Sequence, residues 1–172
     1  EEQEGIGLAK MEMEAQFRRS LEANDFFLEY QPKYCAQTGK LSGAEALIRW
    51  QHPTLGRLAP ERFGSLAGES RLISPLGNWI IDEVASRLAN WRDEGLDVVP
   101  VAVNLSTVQF ANGSLPEYIA NTLKYHHLDT RLFDVEITES LLMDDPDAVR
   151  LQLERIDSIG IGIAIDDFGT GY

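Results

Sequence analysis

Cysteine occurs once in this chain, at Cys35. That excludes an internal disulfide framework and a thiolate metal cluster, and it fits a reducing cytoplasm. Positive charge is also short: 15 Lys and Arg face 28 Asp and Glu, for a net charge of −13. Such a balance argues against DNA and against an anionic membrane surface as partners. A phosphate-bearing substrate stays open, provided bound cations reverse the local sign. No apolar run approaches the roughly 20 residues of a membrane span, and Glu1-Glu2-Gln3-Glu4 is acidic, unlike a signal peptide. Internal repeats and low-complexity tracts are absent.

What is present is an ordinary globular balance, 44% hydrophobic and 25% charged over 172 residues, enough for one domain with a core. Residues 1–10 read as a linker or an appended remnant, and residues 11–172 as the domain. Met13, Phe17 and Leu21 recur every four residues, predicting a helix from Lys10 to Ala23 with Asn24 as its stop. Phe26 to Tyr34 is aromatic and extended. A turn at Gln37-Thr38-Gly39-Lys40 leads to a second strand, Leu41 to Trp50, that pairs back on the first. There Glu45, Leu47 and Arg49 share one face, while Ala44, Ala46, Ile48 and Trp50 share the other. Pro53, Gly56 and Pro60 break up the next segment, with His52 as a loop residue packing locally.

From about residue 70 onward helices and strands alternate. Helix Leu76–Glu94 carries Ile80, Val84, Leu88 and Trp91 on one stripe and ends at Gly95. Strand Val99–Leu105, helix Pro116–Tyr125 capped by His126-His127, and strand Leu132–Thr138 follow. Asp145-Pro146 opens a further helix with Val149, Leu153 and Ile156 inward and Gly160 past its end. Ile161, Ile163 and Ile165 then alternate with Gly162, Ala164 and Asp166 before Asp167-Phe168-Gly169-Thr170-Gly171-Tyr172. That alternation of elements implies parallel strands with crossover helices, an α/β fold.

On three of these strands the bulky face must pack on helices, and the opposite face carries a polar group at or near the C-terminal end: Asn104, Glu136, Asp166. In a (β/α) barrel that end carries the chemistry. Glu45 shows the same alternation in the second strand. With Asp167 beside Asp166, that makes four acids and an amide on one rim, expensive to bury without cations. Two magnesium or manganese ions fit, because a close metal pair clamps the attacking and leaving oxygens of a phosphoryl displacement. A solvated strand face and an ordinary Asp-Asp turn are the plainer alternatives, and a metal-free two-carboxylate glycosidase barrel is a third.

Gly43-Ala44-Glu45-Ala46-Leu47-Ile48-Arg49-Trp50-Gln51-His52-Pro53 resembles the signature of the EAL-domain family of bacterial cyclic di-GMP phosphodiesterases. The likeness continues through Tyr30-Gln31-Pro32, Val103-Asn104-Leu105-Ser106, Glu136-Ile137-Thr138-Glu139-Ser140 and Asp166-Asp167-Phe168-Gly169-Thr170-Gly171-Tyr172, from about residue 17 onward. The resemblance implies a TIM-like (β/α)8 barrel with an antiparallel first strand. It implies that Glu45, Asn104, Glu136 and Asp166 hold one Mg2+ or Mn2+ ion, with Asp166 and Asp167 shared with a second. It also implies that Glu139 holds the loop after the Asp pair, and that Gln31, Leu47 and Arg49 line the dinucleotide. Glu45, Asp166, Asp167 and Glu139 would then carry catalysis.

Two departures stand out. Ala67-Gly68-Glu69-Ser70-Arg71 replaces the family's usual Ala-Glu-Glu-Thr-Gly. The sequence stops at Tyr172, short of the about 250 residues of such a barrel, so the barrel is expected to be incomplete here, without the family's later lysine and glutamate. The function implied is hydrolysis of cyclic di-GMP to linear pGpG, with a non-hydrolysing cyclic di-GMP receptor as the alternative. The wider expectations are a cytoplasmic location or the cytoplasmic part of a membrane-anchored protein, a homodimer, and attached sensory or GGDEF-type domains.

Overall fold

The computed structural model describes residues 2–69, 72–111, 113–139, 141 and 146–166. In chain order these form α1 (Glu2–Ala23), β1 (Phe26–Tyr34), β2 (Leu41–His52), β3 (Gly56–Leu58), α2 (Pro60–Glu69), α3 (Ile73–Asp93), β4 (Val101–Asn104) and α4 (Thr107–Ala111). Then come α5 (Leu115–Tyr125), a 3-10 turn (Thr130–Leu132), β5 (Phe133–Thr138), α6 (Pro146–Ser158) and β6 (Gly162–Asp166). The helix over residues 10–23 runs back to Glu2, through the residues read as a linker. Three short elements escape the sequence pattern. Pro60, read as a breaker, is the first residue of α2, where a missing N–H costs nothing; β3 and α4 are too short to show a period.

The sheet order is β1-β2-β4-β5-β6, with β3 on the edge of β2. β1 and β2 form the expected antiparallel hairpin, in register from Phe26↔Trp50 to Tyr34↔Leu41 with an irregularity between Lys33 and Tyr34. β2, β4, β5 and β6 are parallel. This is the arc of a TIM-like barrel whose first strand runs against the others.

The outer face of the sheet is the core. Ala44, Ala46, Val101, Val103, Phe133, Val135, Ile137 and Ile161 are buried there against α3, α5 and α6. The α3 stripe centres on Ile81, Val84, Ala85 and Leu88, with Ile80 and Trp91 at its margins. Val149 and Ile156 of α6 are buried as their spacing predicts. A second cluster joins Phe17 of α1 to Phe26, Trp50, Leu58, Phe63, Leu72 and Leu76. Its centre is aromatic: Phe26 stacks on Trp50 at 5.4 Å, Phe17 tilts onto Phe26 at 4.9 Å, and the His52 ring meets Trp50 edge-on at 4.8 Å. The outward isoleucines of β6 depart from expectation. Ile161 is buried, but Ile163 and Ile165 are 37% and 47% exposed, because among the described residues β6 has a strand neighbour on one side only.

Helix ends supply the turns. Asn24 (φ 58°), Gly95 (φ 77°), His127 (φ 53°) and Gly160 (φ 87°) all adopt the left-handed conformation that closes a helix. At α5, the His126 N–H donates to the Thr122 carbonyl at 3.2 Å and the His127 N–H to the Lys124 carbonyl at 3.1 Å, so the His pair does cap, through its backbone; Arg92 Nη1 then donates to the two His carbonyls at 2.9 and 2.8 Å. The expected cap at Asp145 lies outside the described residues.

Two outcomes follow from this packing. Gly77 of α3 lies against Gln109 of α4, and a methyl group there would overlap the Gln109 amide. Gln109 is buried and tied to Ser106, so Gly77→Ala should lower stability by about 1–3 kcal/mol, the usual cost of overpacking; an unchanged denaturation midpoint would show that Gln109 yields freely. Burial pushes the Tyr30 phenol up to about 12, helped by the Glu83 charge and opposed by Arg87. Burial, then the 2.8 Å hydrogen bond to Asp82, does the same for Tyr118. Both folded-state values lie above the unfolded value of 10, so their stabilisation is complete below pH 10 and is lost as pH rises through about 12. Alkaline absorbance titration should show two of the chain's five tyrosines ionising late, and Tyr118→Phe should leave one.

Candidate active site

Strand register sorts the inner-face residues into rows. Gln31, Glu45, Ala102, Asp134 and Gly162 pair successively across the sheet. One step toward the C-terminal ends lies the row Asn104, Glu136, Ala164, and beyond it Thr138 pairs with Asp166. Every polar residue of these rows sits on the face opposite the buried valines, because a strand alternates its side chains. Small residues flank the acids. A side chain at Gly162 would collide with the Asp134 carboxylate, so the glycine makes room for that acid.

The rows bring some of the expected residues into contact. Asn104 Nδ2 donates to Glu45 Oε1 at 2.7 Å, across the diagonal between β2 and β4. Asn104 is the register partner of Glu136, which is only 7% exposed. Asp166 stands on the outermost row, exposed. Glu139 follows β5 directly and is half-buried. Asp167 lies outside the described residues. Among the described residues no three His, Cys, Asp or Glu side chains enclose a metal position, so the acids share a face without closing into a cage.

Gln31 is exposed opposite Glu45, and Leu47 is half-buried on the same face. Arg49 is restrained: Nε donates to Glu29 Oε2 at 2.8 Å and Nη1 to the Ile48 carbonyl at 2.8 Å. Arg57 of β3 pairs with the other Glu29 oxygen. The carboxylate of Glu29 thus sits between two guanidiniums, and Arg49 is presented in one orientation.

Three site residues carry no sequence signal strong enough to single them out. Lys33 of β1 reaches Glu136 Oε1 of β5. Asp134 has its carboxyl held above the ordinary range by burial, against the opposing pull of Lys33 and the Gly162 N–H. Gln109 Oε1 accepts from Ser106 N and Ser106 Oγ, both at 3.0 Å, and so fixes the loop that leaves Asn104. The first two were legible in principle, since Lys33 shares a strand face with Glu29 and Gln31, and Asp134 with Glu136. Beside this loop, Ile48, Phe63, Ile73, Leu76 and Ile80 line a crevice of about 200 Å³ with Asn104 and Ser106 on its wall.

The donor set suits a hard divalent cation: three carboxylates and an amide oxygen on one concave face. Glu136 already accepts a cationic partner, the Lys33 ammonium, so the face receives positive charge at the place where the expected ligands meet.

The family profile of the EAL domain matches residues 14–172. The bifunctional diguanylate cyclase/cyclic di-GMP phosphodiesterase MucR of Pseudomonas aeruginosa is 43% identical over 155 residues, covering 90% of this chain and 23% of its own length. The oxygen sensor protein DosP of Escherichia coli is 35% identical over 158 residues, covering 92% of this chain and 20% of its own. The solved structure of the MucR phosphodiesterase in complex with c-di-GMP superposes with a TM-score of 0.87 at 42% identity, over 92% of this chain and 64% of that one. The chain therefore spans about a quarter or less of the length of these curated relatives. The match runs from α1 through the sheet to the acids of the concave face, and the chain belongs to the EAL-domain family.

Proposed function

We propose that this chain forms part of a cytoplasmic phosphodiesterase that opens cyclic di-GMP to linear pGpG. The observation that carries this reading is the concave face that presents Glu45, Asn104, Glu136 and Asp166 on successive rows, built by strand register on a fold shared with the MucR phosphodiesterase. Glu45, Asn104, Glu136, Asp166 and Asp167 would hold two divalent cations, Mg2+ or Mn2+. When bound, such ions supply Lewis-acid charge and a water of lowered pKa.

The remaining work falls to the chain's own side chains. Arg49, anchored by Glu29, presents a planar fork of donors to a phosphate oxygen. Gln31 and Leu47 flank it on the same face and line the dinucleotide. Asn104, braced by Glu45, orients the rim, and Gln109 holds the loop beyond it. Glu139 steadies the segment that follows Asp167. A receptor that binds without cutting has no use for Glu45, Asn104, Glu136, Asp166 and Asp167 together, which is why hydrolysis is the better reading. The relatives are named for further activities as well, diguanylate cyclase in MucR and oxygen sensing in DosP, and each is several times longer than this chain. Attachment to sensory or GGDEF-type domains, and assembly as a homodimer, belong to the same proposal.

In the full-length protein, Glu45→Ala or Asp166→Ala should abolish turnover measured by chromatography of pGpG, as should a chelator. The loss expected is several kcal/mol of transition-state stabilisation. A Glu45→Ala protein that keeps more than about a tenth of its rate, a loss of only about 1.4 kcal/mol, would remove Glu45 from the cation site. Nucleotide binding with no pGpG formed at any cation concentration would favour the receptor.

Arg49→Lys keeps the charge but loses the fork that engages both Glu29 and phosphate. Titration calorimetry should show weaker cyclic di-GMP binding and unchanged cation binding. Equal nucleotide affinity in the two proteins would take Arg49 out of the site.

A further inference from the structure

Lys33 belongs to neither the dinucleotide contacts nor the cation ligands, yet its side chain crosses the concave face. β1 and β5 are separated in the sheet by β2 and β4. Three strand spacings amount to about 14 Å along a flat sheet, and the Lys33–Glu136 pair forms because the sheet curls. The two ends of this pair differ in their surroundings. The Glu136 side chain is 9% exposed and the Lys33 side chain 41%. The carboxylate is therefore committed to the interior and needs a positive partner, whereas the ammonium has an open path to water.

Glu136 Oε1, the atom that Lys33 occupies, belongs to the proposed cation ligand set. An ammonium is a compact charge on a flexible stem, suited to neutralising a carboxylate and then leaving it. Arg49, by contrast, is held at two points, Nε on Glu29 and Nη1 on the Ile48 carbonyl. A second carboxylate waits for the departing lysine. Asp134 lies on the same face two residues before Glu136, in the space that Gly162 leaves open.

We propose that Lys33 is a built-in stand-in for the divalent cation: its ammonium neutralises Glu136 while the site is empty of metal, and cation binding requires its withdrawal from Glu136 Oε1 toward Asp134 and solvent. This rests on Glu136 being a cation ligand, as in the function proposed above. The device keeps a buried carboxylate paired at all times, so the strands stay folded without metal, and it lowers cation affinity by the free energy of the pair that must break.

Two measurements on the full-length protein test it. Calorimetric titration with Mn2+ should show Lys33→Met binding the ion about fivefold more tightly than wild type, the ratio that corresponds to about 1 kcal/mol for an ion pair with one exposed partner. Amine-acylation footprinting by mass spectrometry, which needs no variant, should show Lys33 becoming several-fold more reactive when Mn2+ is added, with Lys40 and Lys124 unchanged. Equal or weaker Mn2+ binding by Lys33→Met overturns the proposal. So does tighter binding without any gain in Lys33 reactivity, since that is long-range charge alone. If Mn2+ binds neither protein, the cation-site reading itself fails and the stand-in with it; if Mn2+ binds wild type and Lys33 does not respond, only the stand-in fails.

Discussion

Glu136 is a carboxylate 7% exposed in the middle of a parallel sheet, and a charge in that position survives only with a partner. Much of the inner face is arranged around that requirement. The partner comes from β1, three strand steps away, and reaches Glu136 because the sheet curls into a concave face. Asn104 stands directly beside it in register and is itself braced by Glu45. The ligands of the proposed cation site are thus positioned by register and by the Asn104–Glu45 bond, while Lys33 supplies the charge that Glu136 needs.

The two faces of the sheet divide the tasks. Outside, Val101, Val103, Phe133, Val135 and Ile137 pack against helices, and this burial supplies the bulk of the folding free energy. Inside, space is kept open by Ala102, Ala164 and Gly162 alternating with acids along the rows. A bulky residue at any of these three would fill the cavity in which the acids work. The aromatic cluster of Phe17, Phe26, Trp50 and Phe63 anchors α1 and α2 to the hairpin and so steadies the strand that carries Glu45, Leu47 and Arg49.

Beyond the sheet, the site is held by contacts that add rigidity more than charge. Glu29 between Arg49 and Arg57 fixes a guanidinium that would otherwise sample many rotamers. Gln109, pressed against Gly77 and bonded to Ser106, sets the course of the chain after Asn104. The Gln152 side chain of α6 donates to the Phe110 carbonyl in α4, tying that same loop to the helix that precedes β6.

The sequence alone determined the two-sidedness of each strand, the antiparallel hairpin at Phe26–Trp50, the alternation of helices and parallel strands, and the identity of Glu45, Asn104, Glu136 and Asp166 as inward residues. These are local properties: period-2 alternation and helix stops such as Asn24, Gly95 and Gly160 depend on neighbours in the chain. The short elements β3 and α4 carried too few residues to show a period. Only the tertiary structure decided which polar residues meet. Lys33 and Glu136 are 103 residues apart, Asn104 and Glu45 are 59 apart, and their contacts follow from register and curvature, which belong to the sheet and not to any one strand. The exposure of Ile163 and Ile165 was decided at the same level, because burial of a strand depends on what lies beside it as well as on its own pattern.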